Sequence, residues 1–120
     1  MLYQTATEQL THRFSHIKIA TTFKERLQGL LVFKQHPEQL VYVIPQCKMV
    51  HTYGMSYPID IVFIDRCLRI VHIKEQVSAN AICVSLEASH TLELNAGGVA
   101  YHKLKLGDRL CSVQFSNIAK

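Results

Sequence analysis

Hydrophobic and polar positions alternate along most of this chain, and the alternation predicts short strands rather than helices. Over 12–20, HRFSHIKIA, Phe14, His16 and Lys18 stand opposite Arg13, Ser15, Ile17 and Ile19, the period-two pattern of a strand. LVYVI at 40–44 is rich in β-branched and aromatic residues and stops at Pro45. IDIVFID (59–65) and LRIVHIKEQV (68–77) predict the two strongest strands, with Asp65-Arg66-Cys67 between them as a tight hairpin turn. HTLELNAGG gives a further strand that runs into a turn at Gly97-Gly98. VAYHKLKLGD suits a short helical turn closed by Gly107, and RLCSVQF predicts a last strand. One segment carries helical spacing instead. In TTFKERLQGLL, Thr22 and Glu25 form a capping box, and Phe23, Leu27, Leu30 and Leu31 follow on one face. A helix over 23–31 is therefore predicted to lie across a sheet made of the 59–65 and 68–77 strands. His36-Pro37 marks a loop after it. The fold class that follows is mainly β, a small β-sandwich or half-open barrel with one short covering helix.

The segment CKMVHTYGMSYPID, residues 47–60, breaks the ordinary pattern. Cys47, Met49, His51, Tyr53 and Met55 occupy every second position, so an extended backbone puts a thiol, two thioethers, an imidazole and a phenol on one face. Gly54 allows a bend, and the Pro58 ring fixes the approach to the next strand. Asp60 then sits inside an apolar run, where a buried carboxyl needs partners.

Composition narrows the picture. At 120 residues the chain reads as a single domain over 1–120, able to bury roughly two thirds of its unfolded surface. Hydrophobic residues make up 48% and charged ones 18%, a globular balance rather than a disordered one. The N-terminal stretch MLYQTATEQLTHRF has no apolar signal-peptide core, and no apolar run approaches the ~20 residues of a membrane span. The expectation is a soluble, cytoplasmic protein with no membrane partner. The four cysteines, Cys47, Cys67, Cys83 and Cys111, form no C-x-x-C pair and are expected to be free thiols. The net charge of +4 and pI of about 9.0 come from singly scattered residues such as Lys18, Lys24, Arg66, Arg69, Lys103 and Lys105, without the basic run of a nucleic-acid surface. No P-loop, G-x-S-x-G or dinucleotide fingerprint implies a cofactor.

Four landmarks in order resemble a bacterial and archaeal family, domain of unknown function 192. Its E-R-x-x-G-L helix is matched by Glu25, Arg26, Gly29 and Leu30. Its P-[IL]-D-[IV]-x-F-[ILV]-[DN] is matched by Pro58, Ile59, Asp60, Ile61, Phe63, Ile64 and Asp65. Its L-E-L-x-A-G is matched by Leu92, Glu93, Leu94, Ala96 and Gly97, and its closing G-D by Gly107-Asp108. The resemblance runs from about residue 17 to 115, leaving 1–11 as a less ordered extension. Many members read W-M-x-N-T before the P-[IL]-D. Here His51-Thr52 stands for Trp-Met, Gly54 for Asn and Met55 for Thr, an H-T-[FY]-G-M branch. Cys67 stands where the hairpin turn commonly carries Gly, so a left-handed backbone there would be strained. The resemblance implies a compact, mainly β sandwich and supplies no function.

Several functions are open to these residues. Cys47, Met49, His51, Tyr53 and Met55 could be one packed face of a strand, Met and Cys being common gap-fillers. Arg26, His51, Tyr53, Met55, Asp60 and Glu93 could converge on a shallow ligand pocket beside residues 51–60, polar anchors in an apolar cavity, or Arg26, His51, Asp60 and Glu93 could form a buried polar network. Cys47 and His51 are the candidate ligands for a soft metal, and with Asp60 could be written as a Cys/His catalytic set. Yet residues four apart on a straight strand lie about 13 Å apart, too far for a thiol–imidazole hydrogen bond. The reading carried forward is a non-catalytic binding or accessory module, its partner a small molecule or a protein. The alternative is a Cys/His-dependent enzyme or soft-metal-binding protein.

Overall fold

The computed structural model describes residues 10–21, 40–115 and 118. The predicted helix 23–31, and with it Arg26, lies outside them. Nine strands are described: β1 (Thr11–His12), β2 (His16–Ile19), β3 (Leu40–Ile44), β4 (Met49–His51), β5 (Ile59–Ile64), β6 (Ile70–Val77), β7 (Ile82–Val84), β8 (His90–Asn95) and β9 (Arg109–Leu110), with one helix, α1 (Gly98–His102). The fold is mainly β, and its sheets are open: five strands in the order β2-β3-β8-β5-β6, and two two-stranded pairs, β1-β9 and β4-β7. In the large sheet β2 and β3 run parallel and the other neighbours antiparallel.

The central sheet is buried on both faces, which explains why its inner strands read as continuous apolar runs. All six positions of β5 are buried. Val41, Val43, Val62, Ile64, Leu92 and Leu94 face a core closed by Val99 of α1, Leu104, Leu110, Phe115 and Ile118. Tyr42, Ile44, Ile59, Ile61 and Phe63 face a second core, closed by Val50 of β4 and Cys83 of β7. Alternation along each strand divides the side chains between the two layers.

Three local features differ from the sequence reading. The hairpin between β5 and β6 has its left-handed residue at Leu68 (φ 66°), not at Cys67. The strain is offset because Asp65 Oδ1 accepts the N–H groups of Cys67 and Arg69 at 2.9 and 3.0 Å, and Leu68 is buried in the core. RLCSVQF yields only the two residues of β9 before the chain turns at 112–115. Leu10 and Thr11, expected in a loose extension, are tied down: Thr11 pairs with Arg109, and the Leu10 N–H donates to Asp108 Oδ1 at 3.2 Å.

Candidate functional site

Asp60 organises the end of the central sheet. Its residue is wholly buried, and its two carboxyl oxygens accept three backbone N–H groups: Gln76 at 2.8 Å, Gly97 at 3.2 Å and Val99 at 2.9 Å. The reason lies in a bulge. Between the pairs Ile59–Val77 and Ile61–Lys74, two residues of β6 oppose Asp60 alone, which leaves one ladder N–H over. Gln76 adopts φ 52° there and donates that N–H to the carboxyl. The other oxygen reaches the turn after β8, where Gly97 takes φ 93° and α1 begins, a backbone that favours glycine.

Beside this turn lies a cavity of about 250 Å³, lined by Leu40, Leu94, Tyr101 and His102 and by the turn residues 95–98. Gly98 lets α1 lie directly on β8: a Cβ there would come 2.8 Å from Leu94 Cβ. Leu40 and Leu94 give an apolar wall. Tyr101 is exposed and meets the His102 ring edge-on at 5.0 Å. Phe14 packs against the other side of His102 at 4.9 Å. Burial, and then the neighbouring His12, hold the His102 pKa below the usual histidine value. Asn95, on the rim, has a buried side-chain oxygen that accepts no hydrogen bond.

The 47–55 stripe is turned the other way. Met49, His51 and Tyr53 are exposed on the outer face of the β4-β7 ribbon, while Val50 and Thr52 point inward. Only Met55 is buried, in the core beneath the ribbon, with Cys47 packed at its edge. The His51 and Tyr53 rings lie against each other, 5.2 Å between centres. The Cys47 thiol donates to the Met49 carbonyl at 3.0 Å, and no His51 contact to it is among the described hydrogen bonds. No group of three or more His, Cys, Asp or Glu among the described residues is arranged to hold a metal.

Glu93 and Asp60 do not converge. Asp60 is paired with Leu94 and Ile61 with Glu93, so the two acids emerge on opposite faces of the sheet. Glu93 lies between Tyr42 and Ile61 in register and is buried. It acts on Tyr57, whose phenol is pushed up first by burial and then by the Glu93 charge.

Three residues to which sequence reasoning gave no role in the site carry much of the polar structure. Thr52 Oγ1 donates to the Ser78 carbonyl at 2.7 Å and accepts the Ala81 N–H at 2.8 Å, joining β4 to the start of β7. His90, nearly inaccessible, accepts the Gln46 N–H on Nδ1 at 3.0 Å. Asp108 takes a 2.7 Å contact from His12 Nε2 and the N–H groups of Leu10 and Lys105. Thr52 had a detectable signal: a polar residue between stripe positions points inward once the stripe faces solvent.

The model of domain-of-unknown-function family 192, described as Uncharacterized ACR, matches residues 4–112. The chain belongs to this family. A UPF0127 protein from Thermococcus sibiricus (strain DSM 12597 / MM 739) is 26% identical over 98 residues, 78% of this chain. The chain spans 64% of that curated relative's length. A "putative transcription regulator" from Sinorhizobium meliloti 1021 matches in crystal structure with a TM-score of 0.69 at 28% identity, over 78% of each chain. A protein of unknown function from Novosphingobium aromaticivorans DSM 12444 matches at 0.67 with 20% identity, over 78% of this chain and 71% of its own, and speaks to the fold alone. In this member of family 192 the P-I-D and L-E-L-x-A-G motifs are one physical unit, since Asp60 of the first holds Gly97 of the second. The G-D motif does the same work at the other end of the core through Asp108.

Proposed function

We propose that this protein is a non-catalytic binding module whose ligand is a small molecule seated in the cavity beside the Asp60-held turn. The single observation that carries the reading is the coincidence of that cavity with the meeting point of two motifs. Asp60 spends both oxygens on backbone N–H groups and so acts as a positioning residue for the wall, not as a contact to the ligand. Leu40 and Leu94 supply apolar surface and the Tyr101 and His102 rings flank it, a mix of the kind ligand sites carry. His51 and Tyr53 belong to the exposed ribbon and take no part in this pocket.

A thermal-shift screen of small metabolite-like compounds tests the proposal, run on the unaltered protein, on Ala96→Leu and on His51→Ala. Ala96 is exposed on the cavity rim, so the larger side chain obstructs the mouth at little cost to stability, within about 0.5 kcal/mol. Compounds that raise Tm in the unaltered protein should lose their effect in Ala96→Leu and keep it in His51→Ala. Stabilisation that survives Ala96→Leu and vanishes in His51→Ala would move the site to the ribbon and overturn the reading.

A further inference from the structure

We infer that Arg69 and Arg109 form an anion site for the terminal phosphate of a phosphomonoester. The site shares no lining residue with the cavity and stands apart from the proposal made for it. Its placement comes from an antiparallel bridge at the entry to β6, where Arg69 stands directly opposite Arg109 of β9. Ile70 donates its N–H to the Asp108 carbonyl at 2.8 Å, and Leu110 donates to the Leu68 carbonyl at 2.9 Å. These bonds flank the arginines and leave them as a non-hydrogen-bonded pair, the arrangement in which facing Cβ atoms are only ~4.5–5.5 Å apart. Ile70 and Leu110 belong to the core, so alternation turns both arginines outward. Thr11 of β1 pairs with Arg109 from its other side and is exposed, which adds a hydroxyl to the same row.

Charge sets this row apart from an ordinary surface. Like charges directly opposite each other on a sheet are destabilising, and the acids that flank the pair in sequence are engaged elsewhere. Asp108 gives one oxygen to the Leu10 N–H and the other to His12 and the Lys105 N–H. Asp65 Oδ1 accepts the N–H groups of Cys67 and Arg69. Among the described residues neither guanidinium has a carboxylate within ion-pair distance. The fold thus holds two cations side by side without a counter-charge.

A bound oxyanion supplies one. Guanidinium forks match the geometry of phosphate and bind it through paired, charge-assisted hydrogen bonds. The Arg69 Nε is buried, so contact from that side chain falls to its two Nη groups. Two adjacent forks carry two positive charges, which matches a dianionic monoester. A diester carries one charge and leaves one cation uncompensated.

Calorimetric titration with methyl phosphate and dimethyl phosphate tests this on the unaltered protein, Arg69→Gln, Arg109→Gln and Lys48→Gln. Lys48 is an exposed cation next to the ribbon, so its variant changes net charge equally at a distant place. Methyl phosphate should bind the unaltered protein and Lys48→Gln alike, and either arginine variant about tenfold or more weakly, the effect of one charge-assisted pair lost. Dimethyl phosphate should bind the unaltered protein about tenfold more weakly than methyl phosphate. Three results would overturn the inference: no binding of methyl phosphate, equal or tighter binding of dimethyl phosphate, or a loss in Lys48→Gln as large as in Arg109→Gln. Arg109 is exposed, so its variant decides the matter even where Arg69→Gln folds poorly.

Discussion

Asp60 Oδ2 accepts the N–H of Val99 across 2.9 Å, joining positions 39 apart in the chain. The same oxygen takes Gly97, and the other takes Gln76. One carboxyl thereby fixes a bulge on one neighbouring strand and a left-handed turn beyond the other. Each feature leaves an N–H without a ladder partner, and the buried carboxyl supplies the acceptor that both lack. The short helix that walls the cavity depends on this arrangement.

Replacing Asp60 by Ala should therefore destabilise the protein by about 3 kcal/mol, since three backbone donors, that of Val99 buried, lose their acceptor together. Asp60→Asn should cost less, because one oxygen survives. Urea unfolding measures both. A midpoint for Asp60→Ala equal to that of the unaltered protein would remove the carboxyl from the account.

His90 gives a pH dependence with a definite sign. Burial lowers its pKa from 6.5, against a weaker opposing pull from Asp65, and the neutral ring is the form that can accept the Gln46 N–H on Nδ1. The unfolded chain takes up the proton first, so this contribution is whole above pH 6.5 and is lost as pH falls through the lower folded value. His90→Asn keeps an acceptor near the Nδ1 position and does not titrate. Unfolding free energies between pH 7.5 and 5 should fall less steeply for that variant; parallel curves would contradict the assignment.

Asp108 acts at lower pH. Burial alone would raise its pKa, but hydrogen bonds from His12, Leu10 and Lys105 and the His12 charge leave it below 3.8. Its contribution is present above that value and disappears as pH falls through the folded one. Asp108→Asn should cost stability at pH 7 and converge with the unaltered protein near pH 2. Free energies that fail to converge there would contradict this.

At Gly98 two effects compete. Alanine is the better helix former by about 1 kcal/mol, but its Cβ would sit 2.8 Å from Leu94 Cβ, and overpacking of this kind costs about 1–3 kcal/mol. The clash should win, and Gly98→Ala should melt at a lower temperature. A rise in Tm would mean that α1 has room to lift from β8.

The strands were legible because burial on both faces writes unmistakable apolar runs: LVYVI occupies 40–44 as predicted, and IDIVFI fills β5. The polar sites were less so. Alternation from Cys47 to Met55 correctly grouped Met49, His51 and Tyr53, yet period two does not say which face meets the core, and the inward residues proved to be Val50 and Thr52. Asp60 was legible as a buried acid in need of partners. That its partners are main-chain donors of a bulge and a turn was not, since register shifts leave no mark in composition. β7 was passed over because ICV is too short for a pattern. The expected nearness of Asp60 and Glu93 failed on parity: Asp60 pairs with Leu94, the residue after Glu93, so the two acids point to opposite sides.

The proposed ligand site lies against the turn that Asp60 holds. Amide NMR mapping of compounds from the thermal-shift screen tests it most directly. Shift changes concentrated on residues 94–102 are the predicted result. Changes concentrated on the ribbon, at 49–53 and 82–86, with the 94–102 amides unmoved, would contradict it.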